Sequence, residues 1–537
     1  MESINEAAAF VGINSKLLGC MGFAVLVVLA VFLVDYVDLL YRSLPYMKLA
    51  PAYPGSYLTG RFWAGDTTGE GLEKSGTEGY YRYTKRGKVF ARKTELNNWS
   101  LIFPSETSRE WRNLPLDQIS FSHWAQEGGQ IKNHTVLTKA HSKVALLFGK
   151  KDLLLAVQKI LVRETPRLLP GIIGAGKDSL SEWVPLNLMQ ACSDLVIKLN
   201  ARVLYGPAYA DDQDFHRRLI MFANGVDGIN SVYFAWPRSL WGIVSLIHPT
   251  IRGFYANLPE LKKKLVPDAR ARIAKLQAKA AQRKGNVPAS DEDITFMTAL
   301  LQMHIEDGTL KEEENDIENM CMEAVFYTYE FWGPIMPTLF FMIMEIGKNP
   351  GYLQALREEI SSALGSNGWS SDFLTRTPKF ESFIREILRL YLPAQSTVSR
   401  RTEKPIYVES MDMNIPAGVN LCVPAKFIHH DPDFYPDPTT FDGFRFYDPV
   451  TNNVTIRATT ATDTYLSFSH GTGLCPGRTF GVHIVQVLCA IFIMEYDVKL
   501  DPNDKQGFPD VQSTKEGRGD GMIGTTNILI RKRMPSV

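Results

Sequence analysis

The chain has 537 residues, of which 45% are apolar and 22% charged, with 58 basic side chains against 58 acidic ones. That composition supplies a core and excludes a disordered polar chain. The balanced charge leaves no basic footprint, so no nucleic-acid partner is expected.

The first element is Leu17 to Val34, eighteen residues without a charge and long enough to be a candidate membrane span. No small-residue cleavage site follows it; Asp35, Tyr36 and Asp38 come next, which disfavours a cleaved signal. Lys16 alone precedes the span, against two acids, whereas Arg42 and Lys48 follow it, so the positive-inside rule puts the larger part in the cytosol. The expected organisation is a short lumenal segment over 1–16 and a single-pass signal-anchor over 17–41. A proline-rich hinge over 42–55 (Pro45, Pro51, Pro54, Gly55) and one large cytosolic domain over 56–537 complete it. In that orientation the sequons at Asn98, Asn133 and Asn453 stay unglycosylated.

Tyr233 to Pro237 and Leu240 to Val244 are rich in aromatic and aliphatic residues, which suits either a membrane interface or ordinary core beneath a loop. Lys262 to Asp293 reads as a solvated helix and loop. Asp316 to Arg389 has helical periodicity, and Ser396 to Val423 breaks into short β-branched runs punctuated by Pro and Gly. The fold class expected is mainly α with small β-sheets. Six cysteines lie far apart without CxxC pairs, which favours reduced thiols.

The most informative stretch is Phe468-Ser469-His470-Gly471-Thr472-Gly473-Leu474-Cys475-Pro476-Gly477, just before an apolar run, Thr479 to Met494, that reads as a helix. A helix N-terminus favours a thiolate, and Pro suits the first helical position. Glycines allow close backbone approach to a flat partner. The loop therefore aims a sulfur anion at something planar or metallic. Upstream, Glu386 and Arg389 stand at i and i+3 on one helix face.

This pattern resembles the haem-binding signature of the cytochrome P450 family, and Glu386 to Arg389 resembles its E-x-x-R helix. The resemblance implies the cytochrome P450 fold behind an N-terminal transmembrane helix, with 56–537 as a haem-thiolate catalytic domain. It implies haem b with Cys475 as axial iron ligand, Phe468 and Gly471 shaping the haem loop, and Glu386, Arg389 and Arg445 as a structural brace. Arg400 sits where members place a haem-propionate partner; Arg401 is the alternative, and His134 is a further candidate in place of an absent Trp-x-x-x-Arg motif. Ala394 to Val398 and Met522 to Thr525 would line the pocket.

Two departures stand out. Gly473 occupies the position where many members carry a propionate-binding Arg or His. In the distal helix, counting back from Asn349-Pro350, Gly333 and Pro334 fall where the family has its acid and alcohol, and Pro334 and Pro337 should kink the helix. Glu330 and Thr338, about one turn to either side, are the candidates for a displaced proton relay. The implied activity is O₂-dependent monooxygenation of a lipophilic secondary metabolite, terpenoid or polyketide-type, with electrons from NADPH through a cytochrome P450 reductase at the endoplasmic reticulum membrane. The local texture is similar to fungal kaurene oxidase-like members. The alternative is a haem-thiolate isomerase or dehydratase that does not activate O₂.

Overall fold

The computed structural model describes residues 15–51, 70–94, 99–128, 139–174, 182–236, 238–282, 295–310, 314–370, 372–392, 394–504 and 527–533. The helices used below are α1 (Ser15–Leu49), α2 (Lys151–Ile173), α3 (Leu188–Asn200), α4 (Gln213–Ala235), α5 (Pro249–Gln282), α6 (Glu314–Lys348), α7 (Pro350–Asn367), α8 (Pro378–Leu390) and α9 (Arg478–Glu495). The strands are β1 (Phe90–Lys93), β2 (Trp99–Ile102), β3 (Ile119–Ser120), β4 (Val184–Asn187), β5 (Thr397–Thr402), β6 (Asn420–Val423), β7 (Tyr496–Leu500) and β8 (Asn527–Lys532). One mixed sheet runs β1-β2-β6-β5-β3 with β2 and β6 parallel, and a smaller antiparallel sheet runs β7-β8-β4. Two two-stranded ribbons complete the β structure among the described residues. The mainly helical class with small sheets is what the sequence led one to expect.

α6 and α9 lie at the centre of the main core. Both are apolar around most of their circumference, the pattern of a helix covered on nearly every side. Phe480 of α9 meets Phe331 of α6 edge-on at 5.0 Å and Phe148 at 5.4 Å. Burying each ring contributes roughly 1.5–3 kcal/mol. α8 begins with Pro378 at its first position, after Thr377, and stops short of Pro393, whose ring disfavours helix in the residue before it.

α1 corrects one expectation. The helix continues through Pro45 to Leu49, so it covers 42–49 of the anticipated hinge; the part from residue 52 lies outside the described residues. Tertiary contacts outweigh the missing proline N–H. Tyr46 packs on Trp99 at 6.3 Å between ring centres, and its hydroxyl accepts the Asn420 N–H at 3.0 Å. The docked half begins directly after the apolar run's last valine, where Asp35, only 4% exposed, accepts the Arg238 N–H at 2.9 Å. Residues 20–30 are exposed and apolar throughout, and the helix from Cys20 to Leu49 is long and apolar enough to cross a membrane.

α5 covers most of Lys262 to Asp293, and 283–294 lies outside the described residues. Its charged face is solvated as expected, while Leu261, Leu265 and Ala269 are buried beneath it. The aromatic segment after α4 divides between the two readings. Tyr233 is buried and packs on Trp241 at 5.0 Å, whereas Ile243, Leu246 and Ile247 are exposed.

Candidate active site

The loop that carries Cys475 is closed by its own backbone. The Cys475 N–H donates to the Phe468 carbonyl at 2.9 Å, and the Leu474 N–H to the Gly471 carbonyl at 3.0 Å. Thr472 donates both its N–H and its hydroxyl to the Arg112 carbonyl, each at 3.1 Å. Gly471 has φ +72°, and a Cβ there would fall 2.3 Å from that same carbonyl, so both conformation and space require glycine. Nothing in the sequence pointed to Arg112 as the wall of this loop. α9 starts three residues beyond the cysteine. Burial pushes the Cys475 thiol pKa up, while backbone N–H groups of Gly477 and Arg478 act the other way and favour thiolate. A buried thiolate is stable only beside compensating positive charge, which a bound metal ion supplies.

Arg400 lies against the loop. A β-bulge between Thr397 and Arg400, with Val398 at φ +54°, turns its side chain inward from β5. The guanidinium is fully buried and donates to the Ser399 carbonyl at 2.7 Å and the His470 carbonyl at 2.9 Å. Its Nε has no partner and no described carboxylate reaches it; burial lowers its pKa to about 10. Such a cation calls for an anion. Its neighbour Arg401 is half-buried on the other side of the strand. A Cβ on Gly473 would fall 2.2 Å from Arg400 Nη2. The departure at Gly473 is thus explained: Arg400 fills the space that a side chain at 473 would need.

α6 passes over this region as one helix from Glu314 to Lys348, with Pro334 and Pro337 inside it. Phe331, Trp332, Ile335 and Leu339 are buried, whereas Glu330, Gly333, Pro334, Pro337 and Thr338 remain accessible, a stripe at spacings of three and four. Glu330 is accessible yet enclosed by protein, so it faces an interior cavity, and burial raises its pKa to about 7. Its charge also raises the pKa of Cys475, so the two groups act on each other across that cavity. Nothing lies within 4 Å of where a Gly333 Cβ would be. The Thr338 hydroxyl donates to the Pro334 carbonyl at 2.7 Å. Thr338 is eight residues from Glu330, about 12 Å along the axis, so they share a face but do not meet.

Glu386, Arg389 and Arg445 do meet. Both Glu386 oxygens accept from Arg389, at 2.7 and 2.8 Å, and Arg445 Nε reaches Glu386 at 3.1 Å. Glu386 and Arg389 are fully buried. Arg389 also donates to the His429 carbonyl at 2.6 Å, and His429 Nε2 accepts the Leu466 N–H at 2.8 Å. Ser467 donates to the Leu388 carbonyl at 2.9 Å. The α8 helix is thereby stitched to the strand of chain entering the cysteine loop. His134 and Met522 to Thr525 lie outside the described residues.

The donor set suits an iron porphyrin: a thiol at a helix N-terminus, a buried guanidinium lacking an anion, and glycines where a flat ligand approaches. Comparison with known proteins agrees. The family model "Cytochrome P450" matches residues 232–518. The chain is 80% identical over 498 residues to cytochrome P450 monooxygenase cnsC of Penicillium expansum, covering 91% of this chain and 99% of that one. It is 31% identical over 365 residues to bicoumarin synthase ktnC of Aspergillus niger, covering 66% and 84% respectively. Among solved structures, retinoic acid-bound cyanobacterial CYP120A1 matches with TM-score 0.60 at 13% identity, over 90% of this chain and 99% of that one, a likeness of fold. The cysteine loop, the shared fold and the extent of these matches lead to one conclusion: the chain belongs to the cytochrome P450 family of haem b-dependent monooxygenases.

Proposed function

We propose that this protein oxidises a lipophilic secondary metabolite, terpenoid or polyketide-type, in a fungal biosynthetic pathway. The observation that carries this reading is Cys475, held by a closed loop and near enough to Glu330 of α6 for their charges to interact. Haem iron, when bound, supplies the activation of O₂ and accepts electrons from a redox partner. Cys475 would supply the thiolate that holds the iron, and Arg400 the cation for a propionate. Phe468 and Gly471 hold the loop in shape, and His134 is retained as a second propionate candidate. Glu386, Arg389 and Arg445 brace the back of the loop through His429 and Leu466. The relative named for a bicoumarin synthase supports an aromatic, polyketide-type skeleton over a terpenoid one.

On the distal side Glu330 and Thr338 are the acid and the alcohol of the cavity-facing stripe, and they are proposed to handle protons there. Thr338 keeps its own proton on the Pro334 carbonyl and offers its oxygen as an acceptor. The redox partner is proposed to be an NADPH–cytochrome P450 reductase, with α1 anchoring the chain in the endoplasmic reticulum membrane and the catalytic domain in the cytosol. Absence of an acid–alcohol pair at 333–334 favours a second reading, rearrangement or dehydration without O₂.

Microsomes containing the chain and its reductase test both. A thiolate-type ferrous–CO Soret band with NADPH-dependent product supports the first reading. The same band with NADPH-independent conversion supports the second, and no such band in folded protein overturns both.

A further inference from the structure

The distal face of α6 is short of donors. Proline has no N–H, so Pro334 and Pro337 give no ladder bond to the carbonyls of Glu330 and Gly333. The Glu330 carboxylate adds two more acceptor oxygens, and among the described residues no basic side chain or hydrogen-bond donor reaches it. The hydroxyl on this stripe, Thr338, has committed its proton to Pro334. This face therefore offers acceptors and one enclosed carboxylate, about two turns from the alcohol. A carboxylate enclosed by protein and without a partner is costly to ionise, and its pKa is raised accordingly. The chemical complement of an acceptor-only face is a donor-only cation, and a protonated amine is one.

We infer that Glu330 is a specificity-determining residue that anchors a protonated nitrogen on the substrate by ion pairing inside the cavity over Cys475. The inference rests on the reading of that cavity as the substrate site. It narrows the lipophile to one bearing a basic amine. The Arg400 guanidinium does not compete for this carboxylate, since it is fixed on the Ser399 and His470 carbonyls.

The test uses the haem-loaded, full-length protein in lipid nanodiscs. Two probes of equal shape are titrated: N,N-dimethyl-4-phenylbutylamine and its carbon isostere, (5-methylhexyl)benzene. The tertiary amine disfavours direct iron ligation, and a low-spin red-shifted Soret would report such ligation if it occurred. Wild type should bind the amine at least tenfold more tightly than the isostere. Glu330→Gln should lose that preference while keeping affinity for the isostere, and Glu330→Asp should keep part of it. An equal preference in wild type and Glu330→Gln overturns the inference, as does no preference in wild type or a red-shifted, iron-ligated amine complex. The ferrous–CO band is recorded on every variant, so failure of the haem-thiolate reading is seen separately from failure of amine recognition.

Discussion

Replacing Gly473 by alanine adds one methyl group, and its carbon would fall 2.2 Å from Arg400 Nη2 and 2.3 Å from Arg400 Cζ. Gly473 is not among the glycines with positive φ, so the backbone tolerates alanine and the obstacle is space alone. The guanidinium is the end of a flexible side chain, but here it is fully buried and tied to the Ser399 and His470 carbonyls. Moving it breaks one or both of those bonds, at about 1.5–3 kcal/mol each for a charged donor. A loss of about 3 kcal/mol from the haem-bound state is roughly 150-fold in haem retention. The assay is the rate of haem transfer to excess apomyoglobin, followed at the Soret band. Gly477→Ala is the control in the same loop, because nothing lies within 4 Å of its added carbon. The double variant Gly473→Arg with Arg400→Ser should recover part of the loss by moving the cation from one side of the contact to the other. Gly473→Ala releasing haem at the wild-type rate would refute the spatial exchange between positions 400 and 473.

Glu386→Ala leaves Arg389 buried without its carboxylate and should destabilise the holoprotein by about 3–5 kcal/mol, read as lost haem incorporation on expression. Thr338→Val removes a hydroxyl bonded to Pro334; stability should change by about 1 kcal/mol at most, with a larger change in the NADPH consumed per product formed. His483 is buried with Nε2 unpartnered, and burial lowers its pKa from 6.5 to about 4. The unfolded chain takes up a proton that the folded one refuses, so stability falls as pH drops from 6.5 towards 4. Across that interval the loss should reach about 3 kcal/mol. His483→Leu should flatten that part of the urea-midpoint profile, and an unchanged slope would remove His483 from the account.

Local motifs were the legible part of this chain. Cys475 and its glycines, and Glu386 with Arg389, lie within a few residues of each other, so their chemistry shows in the spacing. Arg445 required a family resemblance to place, because it joins the pair from 56 residues beyond Arg389. The exchange between Gly473 and Arg400 was not legible at all, since only the bulge at Val398 turns that arginine onto the loop. Prolines misled in α1 at Pro45, where a hinge was expected. Local preference argued for a break there, and packing of Tyr46 on Trp99 decided otherwise. In α6, burial of Phe331, Ile335 and Leu339 likewise carries the helix past Pro334 and Pro337.

The docked half of α1 has a mechanical meaning. The helix leaves the domain without a joint, fastened at Asp35 and again at Tyr46, and its apolar half projects as a rigid arm. A tilt of that arm is passed to the globular part through the Asp35 and Tyr46 contacts. Because Asp35 grips the backbone of Arg238, beside the exposed Ile243, Leu246 and Ile247, the torque arrives at the segment that follows α4. Whatever surface receives the arm thereby also sets the attitude of the domain towards it.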